Sequence, residues 1–353
     1  MARMDLRVRA WGWLTRRQAG VIGMTDDQVI AMQRRHMPDN AVTRWLFGAV
    51  PPGVAVAGRT IPGPDDNEIP VLVYRPAPGQ PDRAVPGQAT RPGGDSDLSA
   101  RPLVVYFHGG GFVFGNPRMG DWVCGNVAAG VGAVVISVDY RLAPTHRFPA
   151  AVDDCYAVVE WAAAHAAEFG GAGPVGVMGE SAGGNLAAVV SLLARDRGGP
   201  AISHQALIYP ATDMRDSATE SGSARANRDA PFLSPDEMTA YRNLYLGPGA
   251  DPSDPKASPL LAAGHGGLPP ALIQVAEHDP LRDDGNRYAA ALRAAGVPVR
   301  LTEYVGEPHG FLNFPGLCRG ARQALAELCA EQKAALTAAL QPDGRPAEPA
   351  MGG

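Results

Sequence analysis

From about residue 103 onward the chain alternates short, continuous apolar runs with longer segments of helical period. The apolar runs span 103–107, 133–138, 175–178, 206–209, 272–276 and 299–304, and segments such as 150–169 and 185–195 repeat apolar residues every three or four positions. Strands covered on both faces by crossover helices read as unbroken Val, Ile and Leu, so this alternation predicts an α/β fold with a mostly parallel central sheet. Two β-rich segments precede it, at 54–61 and 69–74. Before them, Thr25-Asp26-Asp27-Gln28 has the form of a capping box, opening a helix through Val29, Met32 and Arg35 that stops ahead of Pro38. One interval breaks the rhythm. Roughly sixty residues lie between Tyr209 and Leu272, more than one crossover needs. Within it Ser234-Pro235-Asp236-Glu237 is a second capping box, followed by Met238, Tyr241, Leu244 and Tyr245 and stopped by Gly247-Pro248; this predicts an inserted helix, a candidate lid. An amphipathic helix carrying Leu325, Leu328, Cys329, Leu336 and Leu340 closes the pattern.

Composition narrows the function classes. The chain has 353 residues, 45% of them hydrophobic, enough for a large core with accessory pieces. Its 43 glycines and 33 prolines concentrate partly in 76–102, where ten of the 27 residues are Pro or Gly, and in a tail at 341–353; both are predicted to be loose surface segments. A net charge of −5 offers no basic footprint for a phosphate backbone, so nucleic acid is not an expected partner. The four cysteines show no C-x-x-C spacing and no His partners, which predicts neither a disulfide scaffold nor a metal site and fits a reducing, cytoplasmic setting. Behind Arg16-Arg17 the apolar stretch is too short for an export signal, and no run approaches the ~18 apolar residues of a membrane span. The basic N-terminus is therefore expected to be a solvated arm.

Candidate chemistry begins at Gly179-Glu180-Ser181-Ala182-Gly183-Gly184, which follows a predicted strand and opens a predicted helix. This is G-x-S-x-G in its strand–turn–helix setting, where small neighbours let a sharp turn lift the serine hydroxyl above the sheet. Ser181 at a helix N-terminus also has N–H dipoles aimed at any oxyanion formed there. The loop His108-Gly109-Gly110-Gly111-Phe112 follows the strand at 103–107. Its glycines let backbone N–H groups of Gly109 and Gly110 approach a substrate carbonyl, with the N–H of Ala182 as a further donor.

A serine nucleophile needs a base, and the base a carboxylate to hold its tautomer. Of the eight histidines, His309, in Glu307-Pro308-His309-Gly310-Phe311, is the one in a loop just past a late strand. The preceding strand leads into Glu277-His278-Asp279-Pro280-Leu281. Asp279 is the candidate acid, whereas Asp283 and Asp284 are placed for the first turn of the next helix. The order Ser181, Asp279, His309 is that of the α/β-hydrolases.

With these residues in view, the chain resembles the bacterial hormone-sensitive lipase family of α/β-hydrolases. The resemblance rests on His108 to Gly111, Asp139-Tyr140-Arg141-Leu142-Ala143-Pro144, Phe148-Pro149-Ala150-Ala151, Gly179 to Gly184, Ser258-Pro259-Leu260, Asp279-Pro280-Leu281-Arg282-Asp283 and His309-Gly310-Phe311. Two positions depart from the family pattern: Glu180 stands where Asp is usual before the nucleophile, and Thr145 where Glu usually follows Leu-Ala-Pro. The resemblance implies an α/β-hydrolase domain at 51–210 and 256–340, a helical cap from residues 1–50 and the 211–255 insertion, and no cofactor or metal. It further implies a serine carboxylesterase acting on short- to medium-chain acyl esters, with Phe112, Glu180 and Phe311 as candidate substrate contacts. Trp45, Phe47, Phe232 and Tyr241 are candidates for setting chain length. The expected partner is a small-molecule acyl ester, and a homodimer is compatible with the sequence. Two alternatives use the same residues: deacetylation or amide cleavage of a specialised metabolite, and a catalytically silent small-molecule receptor. Plant gibberellin receptors of similar sequence lack the histidine that His309 supplies here, which counts against the receptor.

Overall fold

The computed structural model describes residues 4–15, 20–35, 38–77, 101–171, 173–220 and 222–340. Most of the 76–102 segment, all of 341–353, and His36 and the Arg16-Arg17 pair lie outside the described residues. The strands form one eight-stranded sheet: β1 (Val54–Pro62), β2 (Glu68–Pro76), β3 (Leu103–Phe107), β4 (Val134–Val138), β5 (Val175–Glu180), β6 (Ile202–Ile208), β7 (Ala271–His278) and β8 (Val299–Pro308). Their spatial order is β1-β2-β4-β3-β5-β6-β7-β8. β2 runs antiparallel to both β1 and β4, and all other pairs are parallel.

Burial of both sheet faces follows from the period-2 geometry of the strands. Leu103, Val105 and Phe107 of β3 point into one apolar layer, with Val152 and Cys155 of α5 (Ala150–Ala164), Leu186 and Val190 of α6 (Ala182–Arg197), and Tyr288 and Leu292 of α9 (Arg282–Ala294). Val104 and Tyr106 point into the other, with Val123 and Val127 of α4 (Asp121–Val131) and Leu325 and Leu328 of α10 (Gly320–Ala339). This is the doubly covered α/β architecture that the alternating pattern predicts.

The remaining helices are α1 (Leu6–Thr15), α2 (Asp26–Gln33), α3 (Ala41–Phe47), α7 (Gly222–Ala226) and α8 (Pro235–Leu246). Both predicted capping boxes form, at Thr25 with Gln28 and at Ser234 with Glu237, and α8 stops at Gly247 with φ 68°. The basic N-terminus differs from expectation: residues 6–15 are helical and Val8 is buried in the same apolar cluster as Leu46. Its apolar positions carry no amphipathic stripe, so the helix is stabilised by what it packs against. All four cysteines are buried free thiols. No described helix is long and apolar enough to cross a membrane.

Two buried histidines make stability depend on pH. Burial pulls His204, in β6, and His108, stacked on Tyr140, down to about 4. An unfolded histidine titrates near 6.5, so between these values the unfolded chain binds more protons, and the contribution of each neutral ring is complete above pH ~6.5 and lost as pH falls towards 4. Buried Asp284 and half-buried Asp139, raised to about 6, act oppositely in the same window, since their contribution falls as pH rises. A difference measurement separates the two. His204→Gln is expected to lose about 2 kcal/mol less than the parent when urea unfolding at pH 7 and pH 5 is compared; equal losses would contradict a neutral buried His204.

Candidate active site

The site lies where the strand order reverses, at the C-terminal ends of β3 and β5, the place at which α/β sheets open a crevice. β5, β7 and β8 each extend beyond their apolar runs through further pairing, including Glu180 with Ile208 and His278 with Pro308. Ser181, Asp279 and His309 therefore each stand immediately after a strand. Ser181 is a non-glycine residue with φ 56°, the strained geometry of a nucleophile turn, and its N–H donates to the Ile208 carbonyl at 2.8 Å.

These three residues, far apart in sequence, form one hydrogen-bonded line. Ser181 Oγ lies 3.0 Å from His309 Nε2, and His309 Nδ1 lies 2.8 Å from Asp279 Oδ2. Asp279 is fully buried, and its other oxygen accepts from the Leu281 N–H at 2.8 Å. Asn227 ties the acid loop from outside by donating to the carbonyls of Glu277 and Asp279. Asp283 and Asp284 sit in the first turn of α9, as their sequence position indicates; Asp284 pairs with Arg287 and accepts from the Thr212 and Asp213 N–H groups.

The glycine loop borders Ser181. Gly110 has φ 112°, and a Cβ there would stand 2.1 Å from the Phe114 carbonyl oxygen, so no other residue fits. Gly109 and Gly110 line the same cavity as Ser181 and His309, while Ala182 lines a smaller one that Ser181 also borders. The larger cavity, about 1640 Å³, is roofed by Trp11, Gln33 and Phe47 from the N-terminal helices and by Phe232, Glu237 and Tyr241 from the segment around α8. Trp45 stays 56% exposed away from it.

Two of the candidate substrate contacts have their side chains engaged in buried contacts, although Glu180 also borders the larger cavity. The Glu180 carboxylate is fully buried beneath Ser181, accepting from Tyr106 and Tyr209 hydroxyls and hydrogen bonding with Asn313. Burial raises its pKa, against the lowering effect of those hydrogen bonds. Tyr209 in turn sets its ring edge against His309, with centroids 4.9 Å apart. Glu180 is thus built into the floor of the site, because its oxygens are taken up by hydroxyl donors from β3 and the end of β6. Phe311 is likewise fully buried, packed on Tyr209 and Tyr304. Phe112, by contrast, borders the smaller cavity and stacks on Tyr245. Sequence reasoning missed Tyr209, Asn227 and Asn313. Tyr209 had a usable signal, its place at the end of a core strand, and the two asparagines had none. Among the described residues no group of three or more His, Cys, Asp or Glu side chains is arranged to hold a metal ion.

Comparison with known proteins agrees with this architecture. Residues 104–313 match the family described as alpha/beta hydrolase fold. The carboxylic ester hydrolase LipN of Mycobacterium tuberculosis is 40% identical over 92% of this chain and 81% of its own length. Carboxylesterase NlhH of the same species is 46% identical over 67% of this chain and 75% of its own. A hyperthermophilic esterase from Pyrobaculum calidifontis superposes with a TM-score of 0.79 at 34% identity, covering 94% of this chain and 99% of that one. The chain belongs to the α/β-hydrolase family, in its branch resembling hormone-sensitive lipase, and is a carboxylic ester hydrolase.

Proposed function

We propose that the chain is a serine carboxylesterase that hydrolyses short- to medium-chain acyl esters through an acyl-enzyme on Ser181. The observation that carries this is the unbroken line Ser181 Oγ, His309 Nε2, His309 Nδ1, Asp279 Oδ2, with both links at hydrogen-bond distance. With the Nδ1 proton held by Asp279, Nε2 is free to accept the serine proton. Ser181 Oγ attacks the ester carbonyl as its proton passes to Nε2, and N–H groups of Gly109, Gly110 and Ala182 stabilise the oxyanion. The intermediate collapses by breaking the bond to the leaving oxygen, which takes the proton from His309 and departs as alcohol. Water then enters, gives a proton to Nε2 and attacks the acyl carbon, and the proton returns to Ser181 as the carboxylic acid leaves. No cofactor enters these steps. Residues 1–50 and 211–255 supply the cap, a role supported by the side chains they contribute over the larger cavity. Mass spectrometry of a fluorophosphonate adduct tests the assignment: one label on Ser181 is expected, and a label on any other residue would overturn it.

A further inference from the structure

The glycine loop continues into a tight turn at 110–114. The Gly110 carbonyl accepts from the N–H groups of Val113 at 3.1 Å and Phe114 at 2.9 Å. Those two peptide units carry the carbonyls of Phe112 and Val113 on their far sides, since the N–H and C=O of a planar trans peptide point in opposite directions. The Phe112 carbonyl accepts from the Ala143 N–H at 3.0 Å. The Val113 carbonyl is held from the N-terminal helices: Gln33 Nε2, at the C-terminal end of α2, donates to it at 2.7 Å and to the Ala143 carbonyl at 2.7 Å. Two carbonyl acceptors use both N–H bonds of the amide, so only its NH2 end fits there. Val113 and Ala143 are fully buried, and a buried carbonyl left without a donor is costly.

The turn is strained as well as tied. Phe112 has φ 62°, a conformation that a bulky side chain keeps only where its surroundings over-determine it. Cutting one tie frees the peptide units of 110–114 to rotate, and the Gly109 and Gly110 N–H groups turn with them. We infer that Gln33 is a positioning residue: through the Val113 carbonyl it fixes the direction of those N–H groups, so that a helix outside the hydrolase core sets the oxyanion hole within it. The helix is itself anchored, by fully buried Val29 and by the pairing of Asp26 with Arg147 at 2.7 Å. This rests on the esterase reading and on Gly109 and Gly110 as oxyanion donors.

Gln33→Met, of similar length but without a donor, tests it. On a p-nitrophenyl ester kcat is expected to fall by about 10- to 100-fold while KM moves by less than about threefold, because transition-state donors are misplaced and substrate binding is not. Gln33→Lys, which keeps a donor on a long side chain, should recover most of that loss. A trifluoromethyl ketone, to which Ser181 adds to form a tetrahedral oxyanion, should lose affinity for the Met variant by the same factor as kcat/KM. Rates are taken per Ser181 titrated with fluorophosphonate, so that unfolded molecules do not count. Unchanged kcat, a rise in KM alone, equal losses in the Met and Lys variants, or a ketone affinity equal to the parent's would each overturn the inference while leaving the esterase reading intact. A parent that neither labels at Ser181 nor hydrolyses esters would overturn both.

Discussion

Ser181→Ala is expected to lower kcat on a p-nitrophenyl ester by about 10⁵- to 10⁶-fold while KM changes little. The alanine fits the same turn, since only the oxygen that bonds His309 Nε2 is lost, and the fold should be unchanged. What disappears is the covalent route. His309→Ala should cost nearly as much, because a serine without an acceptor at 3.0 Å keeps its proton at neutral pH. The double variant should be no slower than either single one, since the residues act as a unit and the residual rate comes from binding and the oxyanion donors. Stopped-flow measurement of the acyl-enzyme burst provides the check: the burst should vanish in all three variants. Additive losses would mean that Ser181 and His309 act independently, and the acyl-enzyme mechanism would fall.

Gly183→Ala should destabilise the fold by about 4 kcal/mol or more, and it acts through packing alone. A Cβ at this position would lie 1.9 Å from the Phe107 carbonyl oxygen and 2.7 Å from that of His108, both backbone atoms of the neighbouring strand and loop. In a helix, alanine is favoured over glycine by about 1 kcal/mol, far less than such a collision costs. To relieve it, the start of α6 must move away from β3, carrying Ser181 off its line with His309. Activity is therefore expected to fall even in the fraction that folds. Gly264→Ala, where an added Cβ meets nothing within 4 Å, is the control and should stay within about 0.5 kcal/mol of the parent. Urea midpoints compare the two, and a G183A midpoint matching that of the control would refute the tight turn.

Much of this site is legible in the sequence because its parts are local. A capping box is read over four residues, so the start of α8 was predicted at Ser234 and is found there. The turn at Ser181 demands small neighbours within two positions, and a chain order of serine, acid and base leaves few assignments for Asp279 and His309. The expectation for Glu180 and Phe311 as substrate contacts had no such local support. Both residues are close in sequence to the reactive groups, but side-chain direction is set by partners far along the chain. Glu180 is turned down by Tyr106 and Tyr209, and Phe311 by Tyr209 and Tyr304.

The same division explains the rest of the molecule. Strand period, caps and the glycine-bearing turns depend on backbone geometry over a few residues, and the sequence by itself determined them. The burial of Val8 against the body, the floor under the nucleophile and the two cavities of unequal size that border it depend on which distant surfaces meet. Only the tertiary structure decided those, because a wall such as Tyr241 acquires its function from its distance to Gly111, and no spacing along the chain encodes that distance.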